Sequence, residues 1–454
     1  MKYLKLIYKR LKSVCNKDTI HSLKFLPRVL NKFDRALLIA LVLVIATSSI
    51  TLYYRYWIRT THEVPSYGGT FNEGIVGEAK DLDKHIARLT SAGLTKMNEN
   101  GQIVGDLAES WEIKDDGKTY EFKLRNGYFS TDLASQLQAK NIWSGIEIAT
   151  PADNLLDFKF KQPLSPFLYT STEPVFPYGP YKITKEEKNK VTLEASSDYW
   201  QGKPYISKLV INLYADETLL AKAINHGEIM GVLHDTKPES GLKDMTMHEL
   251  KLPRELDLFF NLSRDAVKDV NVRKSLKDGK ALPKEINVTL VTSENPKNEA
   301  IATKIQADWK ALNVLVTINK YDNITLQKDI IPTRNYDVLL YGLDYGPDPD
   351  PYPFWHSSQI KSDGMNLSNY SNKKADKLLE EARQTFDFAI RDQKYTDFKA
   401  ILDAEVPYYN MDKTSSFYSV SNKVQGVGVV YGASEADRFL NLNRWFINVK
   451  RAKN

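Results

Sequence analysis

"EINVTLVTSENPKNEAIATKIQADWKALNVLVTINKY", Glu285 to Tyr321, decides the fold class. "EINVTLVTS" reads as a strand and "VLVTINKY" as another. The segment between them places Ile301, Ile305, Trp309 and Leu312 on one helical face. Strand, helix and strand make a βαβ unit, whose strands run parallel with a right-handed crossover, so the chain is α/β. A third strand, Tyr336 to Gly342, leads directly into "YGLDYGPDPDPYPFWHS", Tyr341 to Ser357. In open α/β sheets, ligands bind beyond the carboxyl ends of the strands, which places this loop at the expected cleft.

Each proline in that loop removes a backbone donor and restrains the residue before it, so Pro347 to Pro353 is extended or turning. Asp344, at the strand's end, is the leading candidate for ligand contact. Asp348 and Asp350 alternate with prolines and read equally as ligand contacts or as Asx-turns that satisfy the loop backbone. Trp355 and Phe354 read as packing that pins the loop ahead of a ligand platform. Asn366, in "GMNLSNY", is a candidate for ligand backbone or for a turn. Phe71 and Asn72, with Glu73, are candidates for the opposite wall of the cleft, against a plain strand role.

Upstream the rhythm is one of hairpins. "SWEIKDDGKTYEFKLR" alternates Trp111 and Ile113, turns at Asp115-Asp116-Gly117 and alternates Tyr120, Phe122 and Leu124. "YKITKEEKNKVTLEA" sets Tyr181 and Ile183 opposite Val191, Leu193 and Ala195. A strand from Leu209 to Tyr214 then precedes a helix with Leu219, Leu220, Ala223 and Ile224 in its stripe. Downstream come two helices, with Leu378 and Leu379 on the first and Phe398 and Ile401 on the second, and then a strand, a turn and a strand through "AEVPYYNMDKTSSFYSVS". "GVGVVYG" follows no βαβ start and reads as turn glycines.

At the amino end, Ala36 to Tyr54 is an uncharged apolar run, long enough as a helix to span a hydrocarbon core of about 30 Å. Ten basic residues precede it against Asp18 and Asp34, which places the tail in the cytoplasm and the body outside. A cleaved signal peptide is the competing reading, disfavoured by the length of the charged region. The one cysteine, Cys15, precedes the run, so it is not a lipid-modified cysteine following it. Ten basic against two acidic residues give the tail a formal charge of +8, which against the chain's +5 leaves −3 for the rest, and this mildly acidic body gives no electrostatic case for nucleic acid. About 390 residues remain beyond Pro65, enough for two lobes.

Enzyme and metal readings find little support. His62, His85, His226, His234, His248 and His356 form no HExxH and no pair at ligand spacing, and no GxSxG marks a nucleophilic serine. The prolines between Asp344, Asp348 and Asp350, and the absence of the EF-hand's glycine and terminal glutamate, argue against calcium. No catalytic residue, metal ligand or cofactor is expected.

"GGTFNEG", "GLTKMNENGQIVGDLAESWEIKDDGKTYEFKLRNG", "PYGPYKI", "DYWQGKPYISKLV", "INHGEI", "VNVRKSL", the proline-rich loop and "NYSNKKADKLLEEAR" occur in the order seen in family 5 extracellular solute-binding proteins, the peptide- and nickel-binding components of ABC importers. The chain resembles that family from Gly68 to about Pro407. The resemblance implies a two-lobed, periplasmic-binding-protein-like flytrap fold with mixed sheets behind one transmembrane helix. It implies a basic tail to residue 35, an anchor at 36–54 and a linker at 55–67. Lobe I would cover 68–250, completed by 421–454, and lobe II 251–420, with the ligand loop at 343–357. It also implies capture of oligopeptides or similar amine-bearing solutes by a monomer, and delivery to an ABC permease. In peptide-binding relatives an aspartate just after this strand pairs with the ligand's ammonium, a role that maps onto Asp344. The sequence departs from the family in having Leu343 where many peptide binders have tryptophan, and one extra residue before Asp348 makes Tyr345 the alternative alignment. It is also short around residues 130–155 and 275–285, so a reduced accessory subdomain is expected, and a non-transport receptor, adhesin or scaffold is the second reading.

Overall fold

The computed structural model describes residues 31–77, 82–238, 240–348, 350–428 and 431–453. The basic tail before residue 31, with Cys15, lies outside them. The described chain forms two compact units: the N-terminal segment to Ser66 with the last residues from Val449, and the body, Tyr67–Asn448.

In the first unit, helix α1, Lys32–Thr60, is 29 residues long and opens with Asn31 accepting from the Asp34 amide at 2.8 Å. Its apolar side chains are exposed, and an 18-residue stretch of it with a mean hydropathy of 2.3 makes it long and apolar enough to cross a membrane. The helix extends beyond the expected 36–54 run at both ends, from Lys32 to Ala36 and, through Tyr56 and Trp57, to Thr60. Strand β1, Thr61–Ser66, follows and pairs with the C-terminal strand Asn448–Lys453. Arg451 lies over the Trp57 ring at 5.0 Å and donates to Thr61 Oγ1 at 2.9 Å.

The body is built on one mixed sheet of ten strands. One half contains β2 (Thr70–Val76), the hairpin β9 (Tyr181–Glu187) and β10 (Lys190–Ala195), β11 (Lys208–Tyr214) and β12 (Gly231–His234). β2 runs parallel to both β11 and β12. The other half contains β14 (Ile286–Ser293), β15 (Val314–Tyr321) and β16 (Val338–Asp344), with β14 parallel to both neighbours, as the βαβ pattern predicts. Two long antiparallel strands, β13 (Met245–Phe260) and β17 (Tyr408–Ser421), lie between the halves. The sheet order is β15-β14-β16-β13-β17-β12-β2-β11-β10-β9.

Helices cover both faces of the βαβ half, so its strands alternate between two cores. Val288, Leu290, Val338 and Leu340 face Trp309 of the crossover helix, whereas Val291, Leu339 and Leu343 join Trp355, Leu379 and Phe398. The expected strand, turn and strand after Glu405 is a single strand, β17. Its "MDKT" segment lies opposite Pro253, where β13 bulges and the register shifts between Lys251 and Glu255.

The accessory region is short but complete as a layer. Strands β5 (Ala108–Lys114), β6 (Thr119–Leu124), β7 (Glu147–Ala152) and β8 (Leu155–Lys159) form a separate sheet. The β5–β6 hairpin has the expected turn at Asp115–Gly117. Its core is aromatic, with Tyr120, Phe122, Phe158 and Phe167 buried together. Ile183 pairs with Leu193 but is exposed, on β9 at the edge of the ten-stranded sheet.

Candidate functional site

Strands β2 and β12, which are parallel to each other, and β16, which runs in the opposite sense, all end at one cavity of about 410 Å³. Its walls include Gly74–Val76 at the end of β2, Leu233 and Asp235 at and after the end of β12, Arg254 of β13, Asp344 of β16 and Glu435. This is the strand-end position at which open α/β sheets hold ligands. A second cavity of about 410 Å³ lies across the Pro253–Glu255 segment, and Tyr345, Gly346, Trp355, Tyr395, Phe398, Tyr408 and Tyr431 give it an aromatic lining.

Asp344 is half exposed, and its charge is already engaged. Arg254 Nε donates to its Oδ2 at 3.0 Å, while the Gly346 amide donates to Oδ1 at 3.0 Å. The same guanidinium contacts Glu435 through Nη1, so Arg254 bridges two carboxylates. Tyr345 is turned inward. Its hydroxyl donates to Asp257 Oδ2 at 2.9 Å, and Asn410 Nδ2 donates to Oδ1 at 2.9 Å. Asp257 is fully buried, and burial pushes its carboxyl up to about 6 despite those two donors.

The rest of the proline-rich loop is held from behind by cations on two helices, Lys373–Arg383 and Phe388–Glu405, here α7 and α8 with α2 (Leu82–Thr90), α3 (Ser130–Ala139), α4 (Glu217–Asn225), α5 (Val270–Lys277) and α6 (Pro296–Lys310) preceding them. Asp348 Oδ1 accepts from the Asp350 amide at 3.0 Å and from Arg391 Nη2 at 2.6 Å. Asp350 Oδ1 accepts from the Tyr352 amide at 3.1 Å, and its Oδ2 accepts from Arg383 Nε at 2.8 Å. These are the two Asx-turns, each closed by an arginine, in a loop whose prolines cannot donate. Trp355 is buried and packs on Phe259, Tyr370 and Tyr408, with only part of its ring reaching the second cavity.

Of the residues singled out in the sequence, Asp344, Tyr345 and Trp355 reach the walls of these two cavities, whereas Asp348, Asp350, Asn366, Phe71 and Asn72 do not. Asn366 is fully buried and donates to the carbonyls of Trp355, His356 and Tyr370. Phe71 is a core residue against Trp445, and Asn72 is a strand residue paired with Val210. The sequence reading missed Arg254, Asp235 and Glu435. Arg254 interrupts an otherwise ordinary strand beside Pro253, and the other two lie in short irregular segments without a motif. Among the described residues, no group of His, Cys, Asp and Glu is arranged to hold a metal ion.

Three comparisons agree on what this chain is similar to. The family model of bacterial extracellular solute-binding proteins, family 5 Middle, matches residues 129–277. The oligopeptide-binding protein AppA of Bacillus subtilis is 21% identical over 417 residues, covering 75% of this chain and 73% of that protein. Its solved structure, in complex with a nonapeptide, superposes with a TM-score of 0.64 at 19% identity, covering 85% of this chain and 100% of that one. The ABC transporter substrate-binding protein CtaP of Listeria monocytogenes superposes with a TM-score of 0.71 at 18% identity, covering 84% of this chain and 99% of that one.

Proposed function

The chain belongs with the bacterial extracellular solute-binding proteins of family 5, and from that premise we propose that it captures an oligopeptide or similar amine-bearing solute and delivers it to an ABC permease. The observation that supports this reading is the pair of cavities on either side of Arg254 and Asp344, one charged and one aromatic, at the carboxyl ends of the sheet's parallel strands. A peptide needs both kinds of surface: charged groups for its terminus and backbone, and apolar pockets for side chains. In this reading Asp344, Tyr345 and Trp355 line the ligand cleft, while Asp348, Asp350 and Asn366 hold the loop that presents them.

The proposed lobes are 68–250 with 421–448, and 251–420, joined through β13 and β17. Ligand binding favours a closed arrangement of the lobes that the permease recognises, a population shift without chemistry on the solute. Helix α1 anchors the protein with its basic end in the cytoplasm and raises the concentration of capture sites near the transporter.

The test is to purify the full chain in detergent without refolding and to identify what it carries by native mass spectrometry and denaturing extraction. Peptides released from the protein support capture. A protein that yields none, and shows no thermal shift with a mixed peptide library, overturns the reading in favour of a scaffold on the same fold.

A further inference from the structure

A third cavity, of about 580 Å³, lies between β5, the outer strand of the accessory sheet, and the turn that joins α7 to α8. It shares no lining residue with the two cavities at the strand ends. Trp111, Ile113 and Tyr169 line it from the accessory side, and Phe386 and Phe388 from the turn. The two sides are fastened to each other, so the space between them is preformed. The Ser165 amide donates to the Arg383 carbonyl at 2.8 Å, and its hydroxyl donates to the Ala382 carbonyl at 3.3 Å. The Phe386 ring packs edge-on against the fully buried Tyr120, with centroids 6.1 Å apart, in the room that Gly117 leaves by having no side chain. Ile113 and Phe388 are both exposed, so the cavity meets solvent past an apolar rim.

One buried cation lines these apolar walls. The Arg391 side chain is 3% exposed, and its guanidinium is only partly satisfied. Nη2 donates to Asp348 Oδ1 at 2.6 Å and to the Tyr395 hydroxyl at 2.8 Å, and Nε donates to the same hydroxyl at 3.1 Å. Nη1 has no hydrogen-bond partner among the described residues. A buried donor left without an acceptor costs free energy, which a ligand acceptor in the cavity would recover. That acceptor has to be neutral. Asp348 is already the counter-ion of Arg391, and burial pushes its carboxyl up only to about 6, so it is charged at neutral pH. Asp392 stands exposed on the cavity wall, and no lysine and no second arginine lines it. A ligand carboxylate would be the third anion around a single cation, whereas an amide carbonyl accepts from Nη1 without adding charge.

We propose that this cavity is a second binding site, separate from the capture cleft, for a small neutral molecule that carries an aromatic ring and an amide carbonyl. The ring packs among Trp111, Tyr169 and Phe388, and the carbonyl accepts from Arg391 Nη1. The volume falls within the ~300–1,000 Å³ of ordinary small-molecule sites, which combine apolar walls with a few placed polar groups. The site stands independently of the proposed peptide capture.

The test uses the full chain in detergent and the photoreactive probe N-acetyl-4-benzoyl-L-phenylalaninamide, which is neutral, aromatic and amide-bearing. After irradiation and digestion, mass spectrometry should find the label within residues 101–113, 165–169 or 385–392. Unlabelled N-acetyl-L-phenylalaninamide should compete for labelling. N-acetyl-L-phenylalanine, whose carboxylate adds a charge, should compete about 10-fold less well. Two variants, each first checked for a cooperative unfolding transition, should lower the probe's affinity by about 10-fold: Phe388→Ala, at an exposed position, and Arg391→Lys, which keeps the charge opposite Asp348 but loses the guanidinium fork. Label confined to residues 344–355 and 395–408 places the probe in the capture cleft and overturns the proposal. Labelling that the unlabelled amide does not diminish, equal competition by the amide and the acid, or wild-type affinity in both variants overturns it as well.

Discussion

Glu73 and Arg438 are 365 positions apart and almost fully excluded from solvent, yet they meet as an ion pair. Nε and Nη2 of Arg438 each lie 2.8 Å from Glu73 Oε1, and the Tyr418 hydroxyl donates to Oε2 at 2.7 Å. Nη1 donates to the Glu435 carbonyl at 2.8 Å and lies 3.0 Å from His85 Nδ1, a neutral acceptor because burial and Arg438 push its pKa down to about 3. Removing one partner leaves an uncompensated buried charge, so Arg438→Met should cost about 3 to 5 kcal/mol, read as a lower midpoint in urea unfolding. The second residue-scale prediction concerns Asp257. Its folded carboxyl is raised to about 6 from an ordinary 3.8, so the folded state holds the proton longer than the unfolded one. Its contribution to stability is therefore greatest below about pH 4 and declines as pH rises through 6, by at most about 1.4 kcal/mol per pH unit. Asp257→Asn should remove that part of the slope in denaturation curves measured from pH 4 to 7. None of these partnerships was legible in the sequence. "TFNEG" reads as a strand, but nothing in it names an arginine near the other end of the chain as the partner of its glutamate.

The elements, by contrast, were largely written in local pattern. The apolar spacing of Ile301, Ile305 and Trp309 gave α6, flanked by parallel strands, and the Asp115–Gly117 turn gave the β5–β6 hairpin. Where local pattern misled, a distant element had intervened. β17 runs straight through an apparent turn because β13 absorbs the irregularity at Pro253, and Ile183, on a strand whose alternation reads as half buried, is exposed because β9 is the last strand at the edge of the sheet. The proline-rich loop belongs to the same class: its aspartates are readable as turn formers, but their arginines come from α7 and α8. Arg391→Gln should therefore loosen the loop without unfolding the body. Hydrogen exchange should accelerate at the amides of Asp348, Asp350 and Tyr352, while the amides of β14 and β16 keep their protection. The apolar run likewise fixed α1, and removing residues 1–60 should release the chain from the detergent-requiring fraction on extraction, with no loss of peptide binding.

For the whole molecule, the order of blocks along the chain pointed to the family, and the superpositions with solved solute-binding proteins share its fold. A solute that binds the folded body alone must stabilise it by mass action: a saturating peptide at a hundredfold excess over its dissociation constant should add about 2.7 kcal/mol, seen as a rise in melting temperature that scales with the logarithm of peptide concentration. The sheet order has a consequence of a different kind. β17 pairs with β12 on one side and β13 on the other, so the middle of the sheet depends on a strand that ends at Ser421. Of the ten strands in that sheet β17 comes last in sequence, and Arg438, the partner of Glu73 on β2, follows it. The central ladder therefore closes only when β17 is in place, so the assembly of the body waits on its last strand instead of proceeding lobe by lobe from β2 onward.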